Sequence, residues 1–140
     1  MSRSLGIDLG EARIGLAISD ELGMLAHPLE TIAVKEIADP IGRIIDVIAR
    51  EKVNLIVLGL PRNMNGSYGP AAEKTKTFAE QVRSRCACEI KLWDERLTSV
   101  AAQKSLHAVG KNVKQSRSVI DQVAAQLILQ GYLDSQSMLS

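Results

Sequence analysis

At three places in this 140-residue chain acidic residues stand where a carboxylate is costly or conspicuous. Asp8 lies inside the most apolar stretch of the first twenty residues, flanked by Gly6-Ile7 and Leu9-Gly10. A charge inside a strand costs free energy unless it is paired or ligated. The flanking glycines would let another backbone or a phosphate come close. Asp94 and Glu95 follow the apolar run ending at Trp93, at the C-terminal end of a strand, where open α/β sheets place their ligands. Asp121 shares a helical stripe with Ala124, Ala125, Ile128 and Tyr132. Each acid has a plainer explanation. Asp8 could close a strand, Asp94 or Glu95 could face solvent or cap a helix, and Ser118-x-x-Asp121 could be a capping box. Together they suit one chemistry. Carboxylate oxygens are the ligands that Mg²⁺ and Mn²⁺ prefer, and clustered acids can hold one or two such ions against a scissile phosphate.

No competing ligand set is visible. The only histidines, His27 and His107, belong to no motif, and Cys86 and Cys88 form a lone C-x-C. Reduced thiols are the reading of that pair. Between residues 97 and 120 there is no Asp or Glu, while Lys104, Lys111, Lys114 and Arg117 fall there with His107. Such local positive charge in a chain of net charge +1 could hold a polynucleotide backbone beside the acids, or be a solvated face. The loop over residues 60–69, with Arg62, Gly66 and Gly69 before a helix, is a second candidate for a phosphate.

The elements that must position these residues follow from periodicity. Residues 5–9, 13–19 and 24–34 read as an antiparallel meander, the first two strands being joined by the short turn Gly10-Glu11-Ala12. Residues 39–51 carry Ile41, Ile44, Ile45 and Ile48 at helical spacing. Residues 54–59 form a continuous apolar run and read as a strand buried on both faces. A helix over 70–85, a strand over 89–93, a helix over 97–108, a loop over 109–115 and a final helix over 118–133 complete the pattern. This βββαβαβαα order predicts an α/β fold with a mixed five-stranded sheet, an antiparallel three-stranded meander plus two parallel strands, and helices on both faces. The Asp8 strand should be central, with 13–19 antiparallel on one side, 54–59 parallel on the other and 89–93 beyond it. The carboxyl groups of Asp8, of Asp121 and of one of the pair Asp94 and Glu95 should then converge to roughly 4–8 Å at one open sheet edge.

Composition agrees with one globular domain over residues 1–140: 46% apolar and 24% charged residues exclude a disordered, collagenous or disulfide-scaffold chain. Only 3% of residues are aromatic, which argues against aromatic base-stacking platforms. No apolar run reaches the roughly 18–20 residues of a membrane span. The first eight residues lack an apolar core and carry Asp8, so no signal peptide or membrane anchor is expected and the cytoplasm is the expected compartment.

Four segments resemble the motifs of the YqgF family, in order and over nearly the whole chain. They are Gly6-Ile7-Asp8-Leu9-Gly10 with Arg13-Ile14-Gly15-Leu16-Ala17-Ile18-Ser19-Asp20, then Gly59-Leu60-Pro61-Arg62-Asn63-Met64-Asn65-Gly66, then Trp93-Asp94-Glu95-Arg96-Leu97-Thr98-Ser99, and finally the ten residues from Asp121 to Gln130. The resemblance implies an RNase H-like fold and a nuclease known under two names, pre-16S rRNA nuclease and Holliday junction resolvase. It implies Mg²⁺ or Mn²⁺ held by Asp8, Glu95 and Asp121, and selects Glu95 over Asp94. The expected function is therefore metal-dependent hydrolysis of phosphodiester bonds in structured nucleic acid, at the 5′ end of pre-16S rRNA during ribosome biogenesis. Arg13, Arg62, Arg96, Lys111, Lys114 and Arg117 would contact the nucleic acid. Alternatives are a resolvase acting on branched DNA, which would need a homodimer to present two active sites, and a binding module without chemistry. A nucleotide-binding ATPase also uses a Gly-rich hairpin of this kind, but closes two lobes on its ligand, and this chain has no room for the second.

Overall fold

The computed structural model describes residues 3–61, 65, 67–94 and 117–139, with the side chains of 117, 118, 138 and 139 excepted. Five strands form one sheet: β1 (Arg3–Leu9), β2 (Arg13–Ser19), β3 (Ala26–Ala33), β4 (Val53–Leu60) and β5 (Glu89–Asp94). Their order is β3-β2-β1-β4-β5. β1 is antiparallel to β2 and parallel to β4, β2 is antiparallel to β3, and β4 is parallel to β5. The expected order and directions are those observed.

Side-chain alternation divides the sheet into two unlike faces. On one, Leu5 and Ile7 of β1, Ile14, Leu16 and Ile18 of β2 and Ile56 and Leu58 of β4 build the larger core. Helix α1 (Pro40–Glu51) contributes Ile44, Val47 and Ile48 to it, and α2 (Pro70–Arg83) contributes Phe78, Ala79 and Val82. Complete burial of one Leu or Ile stabilises by about 1.5–3 kcal/mol. α1 starts where the sequence stops it from starting earlier: Asp39 accepts the Gly42 N–H at 3.1 Å and Pro40 occupies the first turn. It ends at Lys52, whose backbone is left-handed.

Helix α3 (Arg117–Leu139) covers the other face, packing Ala125, Ile128, Leu129 and Leu133 on Ala17, Ala26 and Val57. Three glutamines four residues apart tie it to the edge strand. Gln122 donates to Thr31 Oγ1 (3.3 Å), Gln126 to the Ala26 carbonyl (3.0 Å) and Gln130 to the Met24 carbonyl (3.0 Å), while the Ala26 N–H donates to Gln130 Oε1 (2.8 Å).

Some boundaries differ from expectation. β3 starts at Ala26, two residues late, because Asp20 captures Met24 N–H (2.8 Å) and the Asp20 N–H donates to the Leu25 carbonyl (2.9 Å), so both residues belong to the turn. A 3₁₀ turn at Val34–Glu36 was not expected. The buried stripe of α3 runs through Leu129 and Leu133, with Tyr132 only partly buried at its margin. The expected helix over 97–108 and loop over 109–115 lie outside the described residues.

Candidate active site

Asp8 is the last but one residue of β1 and faces α3, in the same row as Gly6. Its partner across the ladder is Gly15 of β2. Both glycines are sites of close approach. A Cβ on Gly6 would meet Leu129 Cβ at 2.7 Å and the Ala125 carbonyl at 2.8 Å. A Cβ on Gly15 would overlap the carbonyl oxygen of Asp121. The backbone of α3 therefore rests on the sheet where side chains are missing, and that contact sets Asp121 beside Asp8.

The two acids have different surroundings. Among the described residues no donor reaches the Asp8 carboxyl. Burial, and then the charge of Asp121, push it from its ordinary value of 3.8 up to about 6. Asp121 is one-fifth exposed and accepts Arg13 Nε at 2.7 Å. A capping box is thus not its role: α3 already includes Arg117, and the carboxylate receives its donor from the sheet. Arg13 opens β2 directly after the turn, whose Gly10 N–H donates to the Arg13 carbonyl at 3.0 Å. A Cβ on Gly10 would stand 2.5 Å from that oxygen, so the turn admits no side chain there.

Asp94 ends β5 opposite Leu60, one residue beyond the Trp93–Gly59 pair. Trp93 packs on the α3 side, edge-on to Tyr132 with ring centroids 5.9 Å apart. Alternation places Asp94 on the opposite face, away from Asp8. Glu95, Arg96, Arg62, Lys111 and Lys114 lie outside the described residues, as does the side chain of Arg117. Among the described residues no third acid, histidine or cysteine joins Asp8 and Asp121. In the second candidate region, Gly69 caps α2 through its backbone and Pro70 takes the first helical position. Cys86 and Cys88 are free thiols, and burial pushes the Cys88 thiol up to about 11 while its Sγ donates to the Val53 carbonyl at 3.3 Å. Among the described residues no helix is long and apolar enough to cross a membrane.

This donor set fits a hard divalent cation. Two carboxylates share one side of the sheet edge, one of them partly buried, without a donor among the described residues and repelled by the other. A cation bound between them relieves both the burial and the repulsion, and oxygen ligands suit Mg²⁺ or Mn²⁺. Sequence reasoning missed the position of Gly15 and the Arg13–Asp121 pair. The signal for the first was a glycine inside an otherwise apolar strand.

Residues 2–135 match a family model described as RuvX, Holliday junction resolvase. A protein of Halalkalibacterium halodurans named "Putative pre-16S rRNA nuclease" is 46% identical over 139 residues, spanning 97% of this chain and 99% of its own length. A Geobacillus kaustophilus protein of the same name is 46% identical over 136 residues, spanning 96% and 99%. Among solved structures, RuvC of T. thermophilus in complex with a Holliday junction substrate superposes with a TM-score of 0.58 at 14% identity, over 95% of this chain and 96% of that one. The yeast mitochondrial Holliday junction resolvase gives 0.57 at 13%, over 99% and 80%. At such identities these two show the fold, which is RNase H-like.

Proposed function

This chain belongs to the RuvX (YqgF) family, and from that premise we propose that it is a divalent-metal-dependent nuclease that hydrolyses phosphodiester bonds in structured nucleic acid, with pre-16S rRNA as its substrate. The single observation that carries the reading is the placement of Asp8 and Asp121 on one face of the sheet edge, Asp121 resting on Gly15, the ladder partner of Asp8. An acid partly buried beside another acid is costly to the fold, and a divalent cation bound between them would offset that cost. Asp8, Glu95 and Asp121 would hold Mg²⁺ or Mn²⁺, which when bound polarises the scissile phosphate and lowers the pKa of attacking water. The protein's own groups do the rest. β1 and α3 fix the two aspartates, Arg13 lies within reach of a phosphate at the same edge, and the glutamine tethers hold α3 in register. Arg62, Arg96, Lys111, Lys114 and Arg117 would track the backbone of the nucleic acid and set its salt-dependent affinity. The cytoplasm is the compartment this substrate requires. The names of the relatives favour RNA, and the fold alone would equally suit branched DNA, in which case a homodimer would present two sites.

The test is cleavage of labelled pre-16S rRNA fragments, duplex DNA and four-way junctions with Mg²⁺ or Mn²⁺. Metal-dependent cleavage of the rRNA fragment, lost in Asp8→Asn with binding retained, is the expected result. Turnover by purified Asp8→Asn, or cleavage of the junction alone, would overturn the assignment of the site or of the substrate respectively.

A further inference from the structure

We propose that Arg13 is a placeholder cation. It pairs with Asp121 and transfers to a substrate phosphate when a divalent cation takes the carboxylate, so that metal and nucleic acid bind cooperatively through one guanidinium. The proposal rests on reading Asp8 and Asp121 as metal ligands, and adds a coupling that this reading does not require.

Four observations support it. First, the contact is short and charge-assisted, Nε to Oδ2 at 2.7 Å. An oxygen engaged in that way is not free to ligate a cation from the same direction. Second, only one of the two acids is so engaged: Asp8 has no donor among the described residues. Third, Arg13 uses a single nitrogen. Among the described residues its two terminal nitrogens bond to nothing, and their planar fork matches the geometry of a phosphate. Fourth, only the side chain has to move. The backbone of Arg13 is fixed by the Gly10 hydrogen bond and the ladder to Ala33, while its side chain is about one-third exposed. A dication beside this guanidinium is repelled until an anion accepts the guanidinium, and a phosphodiester is the anion that the site is built to receive.

Binding of Mn²⁺, measured by electron paramagnetic resonance, tests the proposal with and without a phosphorothioate RNA hairpin, whose linkages keep their charge and resist hydrolysis. In the wild type the hairpin should tighten Mn²⁺ binding at least about 5-fold, with the reciprocal effect of Mn²⁺ on hairpin affinity. Arg13→Gln should bind Mn²⁺ alone more tightly than the wild type, bind the hairpin more weakly, and reduce the coupling to about 1–2-fold. Arg13→Lys keeps the charge and should keep most of the coupling. A residue that merely braces Asp121 would behave oppositely: Arg13→Gln would loosen Mn²⁺ binding, and that result overturns the proposal. Should Arg13→Gln fail to fold, coupling near 1-fold in the wild type overturns it equally. Wild-type protein that binds no Mn²⁺, or binds it unchanged in Asp8→Asn, refutes the metal site itself and is thereby distinguished.

Discussion

Ile7 and Asp8 are neighbours in β1 and face opposite ways, and the two sides of the sheet are built on different rules. The side of Ile7 is filled with Leu, Ile, Val and Phe, and Ile7, Leu5 and Leu16 are fully buried. The side of Asp8 is thinned to Gly6, Gly15 and Ala17, so that the backbone of α3 can rest against β1 and β2. Bulk on one side supplies stability. Its absence on the other gives up part of that gain to hold two carboxylates together. The contrast explains how a chain of 140 residues can keep an unfavourable charge arrangement and still fold.

Breaking the first side should cost stability and leave chemistry alone. Ile7→Ala removes a fully buried side chain and should destabilise by about 2–5 kcal/mol. Denaturant unfolding reads that loss, and turnover measured below the new melting point should stay within a few-fold of wild type.

Breaking the second side at its acid should do the reverse. The pKa of Asp8 is raised in the folded protein, to about 6 from an ordinary 3.8. The folded state therefore binds the proton more tightly than the unfolded state does. The resulting stability is fully present below about pH 4, is lost as pH rises through about 6, and leaves a constant penalty above that. Without metal, Asp8→Asn should gain up to about 3 kcal/mol at pH 7.5 and almost nothing at pH 4. Urea unfolding at the two pH values checks this. An equal gain at both would assign the effect to something other than charge.

A smaller perturbation sharpens the contrast further. Gly15→Ala adds one methyl where the Asp121 carbonyl already sits. Overpacking should cost about 1–3 kcal/mol, yet the displaced helix should lower cleavage about 100-fold, since misplacement by 1 Å can do so. Ile7→Ala and Gly15→Ala, compared at equal loss of stability, should thus differ widely in activity.

Features set by local interactions can be read from the sequence, and those set by long-range contacts cannot. Strand order was readable because alternation, turn lengths and crossover rules act locally or through topology. Asp8 was conspicuous because an acid in an apolar strand violates a local rule. From the sequence Arg13 is expected to contact the nucleic acid, whereas its partner in the fold is Asp121, 108 residues away; no local pattern encodes that pairing. Gln122, Gln126 and Gln130 form a polar stripe that looks like a solvated helix face, and only the edge of β3 reveals them as tethers. Asp94 falls opposite Leu60 and so leaves the Asp8 face, a consequence of strand register that no local pattern encodes.

If Asp8 and Asp121 form a divalent-cation site, anomalous diffraction from crystals equilibrated with Mn²⁺ shows a peak within ligand distance, roughly 2–2.5 Å, of carboxylate oxygens from both residues, absent in Asp8→Asn crystals treated alike. Saturating Mn²⁺ with no peak there, and Asp121 still held by Arg13, would contradict that assignment.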